Sequence, residues 1–267
     1  MQEYTNKITL SKNARGIYSL DPSMGCYSGM QHNNKGCYND CYAARYSKKY
    51  GYDFSKTTLR YFENESHKHR IIKQINRIDM PFIRMGTSGD PSENWEHTLN
   101  ICKIISTKYQ LSLFEQPNKE IVIITKHWNI LSDKQLEELS NYNICINTSV
   151  SVLDAKDLLI KGLNEYKRLK PYCKSVLRVV SCDFNLENET GRKLANIQKD
   201  IFDKYDVLDT VFRVSKKNEY VVNGIIKIKE TKFLSKKCYV SKYNKKTYFG
   251  KCKNCLEMCG LNQLTLI

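Results

Sequence analysis

The feature that most constrains this fold is a regular alternation of short apolar runs with longer amphipathic stretches. Four runs predict buried strands: PFIRM from Pro81, EIVIIT from Glu120, NICINTSV from Asn143 and SVLRVVS from Ser175. Each is followed by a segment whose apolar residues lie three or four apart, as in a helix packed on a sheet. Such a series predicts parallel strands joined by right-handed helical crossovers.

The alternation extends to both sides of these four runs. KITLSKNARGIYSL is predicted as the first strand, KTTLRYFENESHKHRIIKQINRI as the first helix and DTVFRVS as the last strand, which makes about six strand-helix units. Ser92 and Ser132 are the expected caps of two later helices. We therefore expect an α/β fold, a partial (β/α)6 barrel over residues 1–217, with a doubly wound sheet as the alternative. Functional sites on both folds lie at the carboxyl ends of the strands.

Residues 218–267 leave this pattern and predict a cysteine-rich C-terminal extension. VVNGIIKIKE alternates like a strand of a hairpin, and four cysteines follow it: Cys238, Cys252, Cys255 and Cys259. Four converging thiolates close the coordination sphere of a metal centre, and the two-residue spacing suits neighbouring ligands. The pattern predicts a metal site, and it leaves zinc and a 4Fe-4S cluster open.

Cysteine usage also bears on the compartment. The first twenty residues contain no apolar run long enough for a signal peptide, and no window approaches the ~18 apolar residues of a membrane helix. We expect a soluble cytoplasmic protein without a membrane partner. In that reducing compartment, eleven cysteines in 267 residues indicate metal binding or redox chemistry.

A second group of cysteines lies in a polar loop after the first strand. Cys26, Cys37 and Cys41 have no fourth cysteine nearby in the sequence, and His32 is the only neighbouring residue that would complete a zinc site. Three thiolates alone leave one position of a 4Fe-4S cluster open for a small molecule. The other four cysteines differ: Cys102 and Cys145 are expected in the core, Cys173 follows a proline, and Cys182 ends a strand where it could face the site.

Three features together resemble the radical S-adenosylmethionine superfamily: the three-cysteine loop, the six strand-helix units and the SGDP turn after the second strand. The resemblance extends to about Ser215, and the tail is similar to the auxiliary-cluster extension of several branches. CYNDCYAAR is similar to the form of a phage and mobile-element branch with a CYA signature. Here the cysteines are separated by ten and three residues, whereas the common spacing is three and two.

The resemblance implies both cofactors and chemistry. Cys26, Cys37 and Cys41 would hold a 4Fe-4S cluster whose fourth iron binds the amine and carboxylate of S-adenosylmethionine. Reduction by an external flavodoxin- or ferredoxin-like donor would give methionine and a 5′-deoxyadenosyl radical, which abstracts hydrogen from a substrate. A second 4Fe-4S cluster, or zinc, would occupy the tail site.

The resemblance also implies which residues bind S-adenosylmethionine. SGDP would replace the family's Gly-Gly-Glu-Pro, and hydroxyl and guanidinium groups at the strand ends would bind the ribose and a carboxylate. The implied contacts are Tyr42, Ser88, Gly89, Asp90, Thr148, Ser149, Ser151 and Arg178, with Ser181, Arg213 and Ser215 at the ends of later strands. Lys126 and His127 follow a strand at a position suited to contacting a substrate.

The formal net charge of +15 favours a polyanionic partner such as nucleic acid. Nucleic acid, a nucleotide and a peptide remain open as substrates. An alternative function is a zinc-stabilised nucleic-acid-binding protein in which both cysteine groups are structural. A third is a degenerate member of the superfamily that binds a cluster without cleaving S-adenosylmethionine.

Overall fold

A computed structural model describes residues 6–13, 15–32, 37, 41–106, 119–211, 225–226, 238–239 and 252–262. Its helices are α1 (Tyr27–His32), α2 (Tyr42–Lys49), α3 (Glu65–Asn76), α4 (Trp95–Ser106), α5 (Asp133–Leu139), α6 (Lys156–Leu169) and α7 (Glu189–Lys204). Its strands are β1 (Leu10–Lys12), β2 (Tyr18–Leu20), β3 (Ser23–Met24), β4 (Thr58–Leu59), β5 (Phe82–Met85), β6 (Glu120–Thr125), β7 (Ile144–Val150), β8 (Lys174–Ser181), β9 (Val207–Val211), β10 (Ile225–Ile226) and β11 (Cys238–Tyr239).

Seven strands form one mostly parallel sheet in the order β1-β2-β5-β6-β7-β8-β9. The strands from β2 to β9 pair in parallel, and β1 pairs antiparallel with β2 at the edge. Among these strands the spatial order follows the chain order, without the reversal that creates the crevice of a doubly wound sheet. The chain is therefore a mixed α/β protein with helices following the parallel strands.

The crossover helices pack on one face of the sheet, which we call the helix face. A Cβ on Gly162 of α6 would lie 2.7 Å from Val150, so the helix approaches β7 closely there. Cys102 of α4 contacts Met85 of β5, and Ile201 of α7 belongs to the same apolar cluster as residues of β8. The branched residues of the strands therefore supply the core that the sequence pattern predicts.

Side chains of the opposite parity point to the other side of the sheet, which we call the second face. The pairing of Ser149 with Arg178 places both there, and Arg84, Asn147 and Val176 share that parity.

The tail packs on the second face near the amino ends of β7 and β8. The amide of Asn147 donates to the carbonyl oxygen of Cys259 at 3.1 Å, and Lys174 donates to that of Leu261. Gly260 lies so close to Val176 that a Cβ would be 2.7 Å from it. The C-terminal segment 258–261 is thus part of the packing around the sheet.

Three local expectations are corrected by the structure. The predicted first strand is a hairpin of β1 and β2, because the side chain of Asn13 accepts from the N–H groups of Arg15 and Ile17 and Gly16 adopts a φ of +85°. The first helix is shorter than predicted and is capped by Asn64. Asp90, rather than Ser92, caps the short 3-10 helix Pro91–Asn94 that leads into α4.

Other expectations are confirmed. Ser132 begins α5 with a full capping box, in which its side chain and that of Gln135 each accept from the other's backbone N–H. The VVNGIIKIKE segment contributes β10, which pairs antiparallel with β11. In the part of the chain that the structure describes, every helix is too short or too polar to cross a membrane.

Candidate functional site

The loop after β5 is held by Asp21, a residue that the sequence patterns did not single out. One oxygen of its buried carboxylate accepts from the N–H groups of Gly86 and Thr87 at 2.9 Å, and the other accepts from that of Ser88 at 2.9 Å. A carboxylate that accepts three backbone N–H groups fixes the path of the loop. Asp21 therefore positions the beginning of the SGDP turn.

The turn lies directly beside the first cysteine. The N–H of Gly25 donates to the carbonyl of Ser88 at 3.0 Å, and Gly25 and Gly89 form a parallel bridge. A Cβ on Gly89 would lie 2.5 Å from the carbonyl oxygen of Gly25, so the two backbones approach as only glycine allows. The residue directly before Cys26 is thus in contact with the predicted cofactor turn, which lies more than 60 positions later in the chain.

Cys26 and Cys41 each lie close enough to Cys37 for the charges of the two thiolates to interact. Burial raises the pKa of Cys26 far above its usual range, with further increases from Asp90 and from Cys37. Burial also raises the pKa of Cys37 to about 12, with Lys126 opposing the increase and Cys41 adding to it. Cys41 begins α2, where its sulfur accepts from the N–H of Ala44.

Cys26, Cys37 and Cys41 are not arranged as the ligands of a single metal ion. Within the described residues, no group of three or more His, Cys, Asp or Glu side chains is arranged to hold a metal ion. His32, the candidate fourth ligand for zinc, lies against the ring of Trp128 with 5.6 Å between the ring centroids. The side chain of Tyr42 lies outside the described part of the chain.

Glu93 is a second carboxylate that sequence patterns missed. One of its oxygens accepts from the N–H of Ser28 at 2.9 Å and from the thiol of Cys26 at 3.4 Å. The other accepts from the hydroxyls of Ser28 and Thr57 at 3.3 Å. Glu93 therefore fixes the start of α1 together with the Cys26 thiol.

Asp90 uses both carboxylate oxygens within the protein. Oδ1 accepts from the N–H and hydroxyl of Ser92 and from the hydroxyl of Thr125, and Oδ2 accepts from the N–H of Lys126 at 2.8 Å. These bonds join the SGDP turn to the carboxyl end of β6. Because a carboxylate oxygen accepts two hydrogen bonds, Oδ2 keeps acceptor capacity for a ligand.

A buried ion pair lies next to the thiols. The ammonium of Lys126 is 2.5 Å from Oδ2 of Asp154, and both side chains are almost fully buried. The same oxygen of Asp154 accepts from the N–H of Ser151. The ammonium of Lys126 opposes the increase that burial causes in the pKa of Cys37, whereas the carboxylate of Asp154 adds to it.

The predicted strand-end residues divide between the two faces. Ser149 and Arg178 are neighbours in register on the second face. Thr148 is buried on the helix face, where its hydroxyl meets Nε2 of His127 at 2.9 Å, and the hydroxyl of Ser151 donates to the carbonyl of Val180. Ser149 and Arg178 are thus the two of these four that share the second face.

His127 does not contact the site in the way its position in the sequence suggested. Its ring is fully buried between Trp95 and Thr148, its φ is +55°, and burial lowers its pKa to about 3. The imidazole is therefore neutral and belongs to the core.

Cys182 is likewise buried and does not face the site. Its N–H donates to the side-chain oxygen of Gln198 in α7. Ser181 donates to Asp209 between the sheet and α7.

One tail cysteine, Cys259, lies near a thiol of the sheet. Cys259 and Cys173 both interact electrostatically with Cys145, whose pKa burial raises well above its usual range. Cys145 and Cys102 are buried as predicted, and Cys173 and Cys259 are partly buried against the same core. The side chains of Cys238 and Cys252, and Arg213 and Ser215 altogether, lie outside the described residues.

Comparison with protein-family models, with curated proteins and with solved structures finds no match for this chain. The arrangement of its own side chains is therefore the basis for a functional proposal. That arrangement consists of three thiols, a carboxylate-fixed turn and a buried ion pair at the carboxyl end of a parallel sheet.

Proposed function

We propose that this protein is a radical S-adenosylmethionine enzyme with a partial (β/α)6 barrel. The observation that carries the proposal is the meeting of Cys26, Cys37 and Cys41 beside the turn of Ser88, Gly89 and Asp90. Cys26 directly follows the residue that pairs with this turn, and Cys37 is influenced by both Cys26 and Cys41. The carboxyl end of a parallel sheet is also where such folds place their sites.

The number of thiols is what favours a 4Fe-4S cluster, because three thiolates would leave one iron open for a small molecule. Within the described residues no group of His, Cys, Asp or Glu is arranged to hold a metal ion, so the iron and zinc content measured below decides between a cluster and zinc. When bound and reduced, the cluster supplies the electron that cleaves S-adenosylmethionine to methionine and a 5′-deoxyadenosyl radical, which takes hydrogen from the substrate.

The chain's own residues would orient the cofactor. The turn of Ser88 and Gly89, fixed by Asp21, offers backbone groups at the edge of the site, and Oδ2 of Asp90 has acceptor capacity for an ammonium. Arg178 and Ser149 on the second face suit a carboxylate and ribose hydroxyls. The ammonium of Lys126 opposes part of the increase that burial causes in the pKa of Cys37, and a bound metal would favour the thiolate further.

The auxiliary site would be separate from this one. Cys259 and Cys173 each lie near Cys145, and the carbonyl of Cys259 is held by Asn147 in the middle of β7. We propose that the tail cysteines bind a second cluster or zinc there, and that an external flavodoxin- or ferredoxin-like protein supplies the electrons for the first.

The test is to purify the protein without oxygen and measure iron, sulfide and the visible spectrum. We expect iron and sulfide in the wild type, and release of 5′-deoxyadenosine after reduction with S-adenosylmethionine. Cys37→Ala should abolish the release, because it removes a cluster ligand. Cys102→Ala is the matched control, since Cys102 is a buried thiol of α4, and it should retain the release.

Three results would refute the proposal. The first is a colourless protein that carries two zinc ions, no iron, and cannot rebuild a cluster from iron and sulfide; this outcome would favour the zinc-stabilised alternative. The second is bound iron without any 5′-deoxyadenosine release. The third is release at the wild-type rate from Cys37→Ala, which would exclude the ligand assignment.

A further inference from the structure

Helix α2 carries a surface whose chemistry the thiol site does not use. Its exposed residues Arg45, Tyr46, Lys48, Lys49 and Tyr50, the last following directly on the helix, form what we call the α2 face. The rings of Tyr46 and Tyr50 lie 4.9 Å apart and each tyrosine is about half exposed. Burial of Ser47 on the opposite side fixes the direction in which the α2 face points.

All the charged side chains of the α2 face are positive. Among the described helices, α2 alone has three cations and no carboxylate. The exposed lysines of α7 show the contrast, because Lys193 pairs with Glu189 and Lys199 pairs with Asp203, each at 2.7 Å. The net charge of +15 strengthens the attraction of any polyanion to the α2 face.

Cations and exposed aromatic rings together select one class of ligand. Single-stranded nucleic acid offers phosphates to cations and unpaired bases to aromatic rings. An acidic peptide would satisfy the cations but leaves the tyrosine rings without a planar partner, and a duplex keeps its bases stacked inside. The α2 face therefore fits a single strand best.

The α2 face is also close to the thiol site. Cys41 caps α2, and at 1.5 Å per residue the α2 face begins about 6 Å and ends about 14 Å from it along the helix axis. We propose that α2 binds single-stranded nucleic acid and presents it as the substrate. The binding of a single strand is argued from the residues of the α2 face alone. Its role as the substrate rests on the proposed function.

The test measures binding of a fluorescent oligothymidylate of about 16 nucleotides to the full-length protein by anisotropy between about 50 and 200 mM salt. Lys48→Ala with Lys49→Ala should weaken binding and reduce the salt slope by about 1.4, because two phosphate contacts are lost. Tyr46→Ala with Tyr50→Ala should weaken binding about tenfold with the slope unchanged, because stacking is lost.

The matched control is Lys193→Ala with Lys199→Ala, which removes the same charge from α7 and should keep affinity and slope near the wild-type values. Far-ultraviolet circular dichroism confirms that each exposed-residue variant is folded. An equal loss of affinity in the α7 variant would overturn the proposal. So would competition by polyglutamate as effective as competition by unlabelled oligonucleotide, which would indicate a peptide ligand.

The outcome separates this proposal from the proposed function. Cys37→Ala should bind the oligonucleotide as the wild type does, because the α2 face contains no thiol. Failure of the wild type to release 5′-deoxyadenosine refutes the radical chemistry, whether or not the strand binds. Failure of the α2 variants to alter binding refutes the nucleic-acid surface, whether or not S-adenosylmethionine is cleaved.

Discussion

Asp209→Asn should remove a large part of the pH dependence of this protein's stability. Asp209 is only 5 % exposed, and its Oδ1 accepts from the hydroxyl of Ser181 at 2.6 Å. Burial raises the pKa of Asp209 to about 7, although Ser181 and Arg178 oppose the increase. A shift of about three units from the usual pKa of an aspartate corresponds to about 4 kcal/mol of unfolding free energy.

The sign follows from proton binding. Between about pH 4 and pH 7 the folded protein keeps the proton on Asp209 and the unfolded chain does not. The contribution to stability is therefore fully present below about pH 4 and is lost as the pH rises through about 7. From pH 5 to pH 8 the loss amounts to about 3 kcal/mol.

Urea unfolding at pH 5, 6, 7 and 8 is the assay. The free energy of unfolding of Asp209→Asn relative to the wild type should rise by about 3 kcal/mol over that range, because the amide keeps an acceptor for Ser181 and never ionises. Asp203→Asn is the control, since Asp203 is an exposed carboxylate that pairs with Lys199, and its curve should parallel the wild type. A difference between Asp209→Asn and the wild type that stays constant with pH would refute the reasoning.

Two further predictions concern the site. Lys126→Met should destabilise the protein by about 3 kcal/mol in urea unfolding, because it leaves the buried carboxylate of Asp154 without its cation; the double variant with Asp154→Asn should recover most of this, and a double variant as unstable as the single one would contradict the pairing. Gly29→Ala should lower the iron content of protein purified without oxygen while unfolding shifts little, because its Cβ would lie 2.7 Å from the sulfur of Cys26. Gln31→Ala, exposed on the same helix, should load iron normally, and normal loading of Gly29→Ala would show that the Cys26 sulfur position is not critical.

Local periodicity was enough to predict most of the parallel sheet and its helices. Branched runs such as that of β6 have no stable place except a buried strand, and Ser132 is the cap that its sequence indicates. The carboxylates of Asp21 and Glu93 were missed for the opposite reason. Their partners are 36 residues or more away in the chain, and no local pattern reports a contact that depends on how distant segments pack together.

Strand parity explains the partial success with the polar strand ends. Thr148 and Ser149 were both predicted as cofactor contacts, yet adjacent residues of a strand point to opposite faces. The prediction for His127 differs from the structure for a similar reason. Its polar character suggested a contact with a substrate, but the turn after β6 directs the ring into the helix face. Sequence patterns placed these residues at the carboxyl ends of their strands, and only pairing and packing decided which side chains share the second face.

The tail's position bears on the chemistry of the three-thiol site. The carbonyl oxygen of Cys259 accepts from the amide of Asn147, so the tail reaches the middle of β7. Lys126, whose ammonium influences the pKa of Cys37, directly follows β6, and the last residue of β6 is level with Thr148, one residue beyond Asn147. The tail therefore covers the amino-terminal half of the second face, where Asn147 and Lys174 hold it. Because Asn147, Ser149 and Arg178 share the second face, the tail lies on the same face as two of the predicted cofactor contacts, and Ser149 is two residues nearer the carboxyl end of β7 than the residue that holds Cys259.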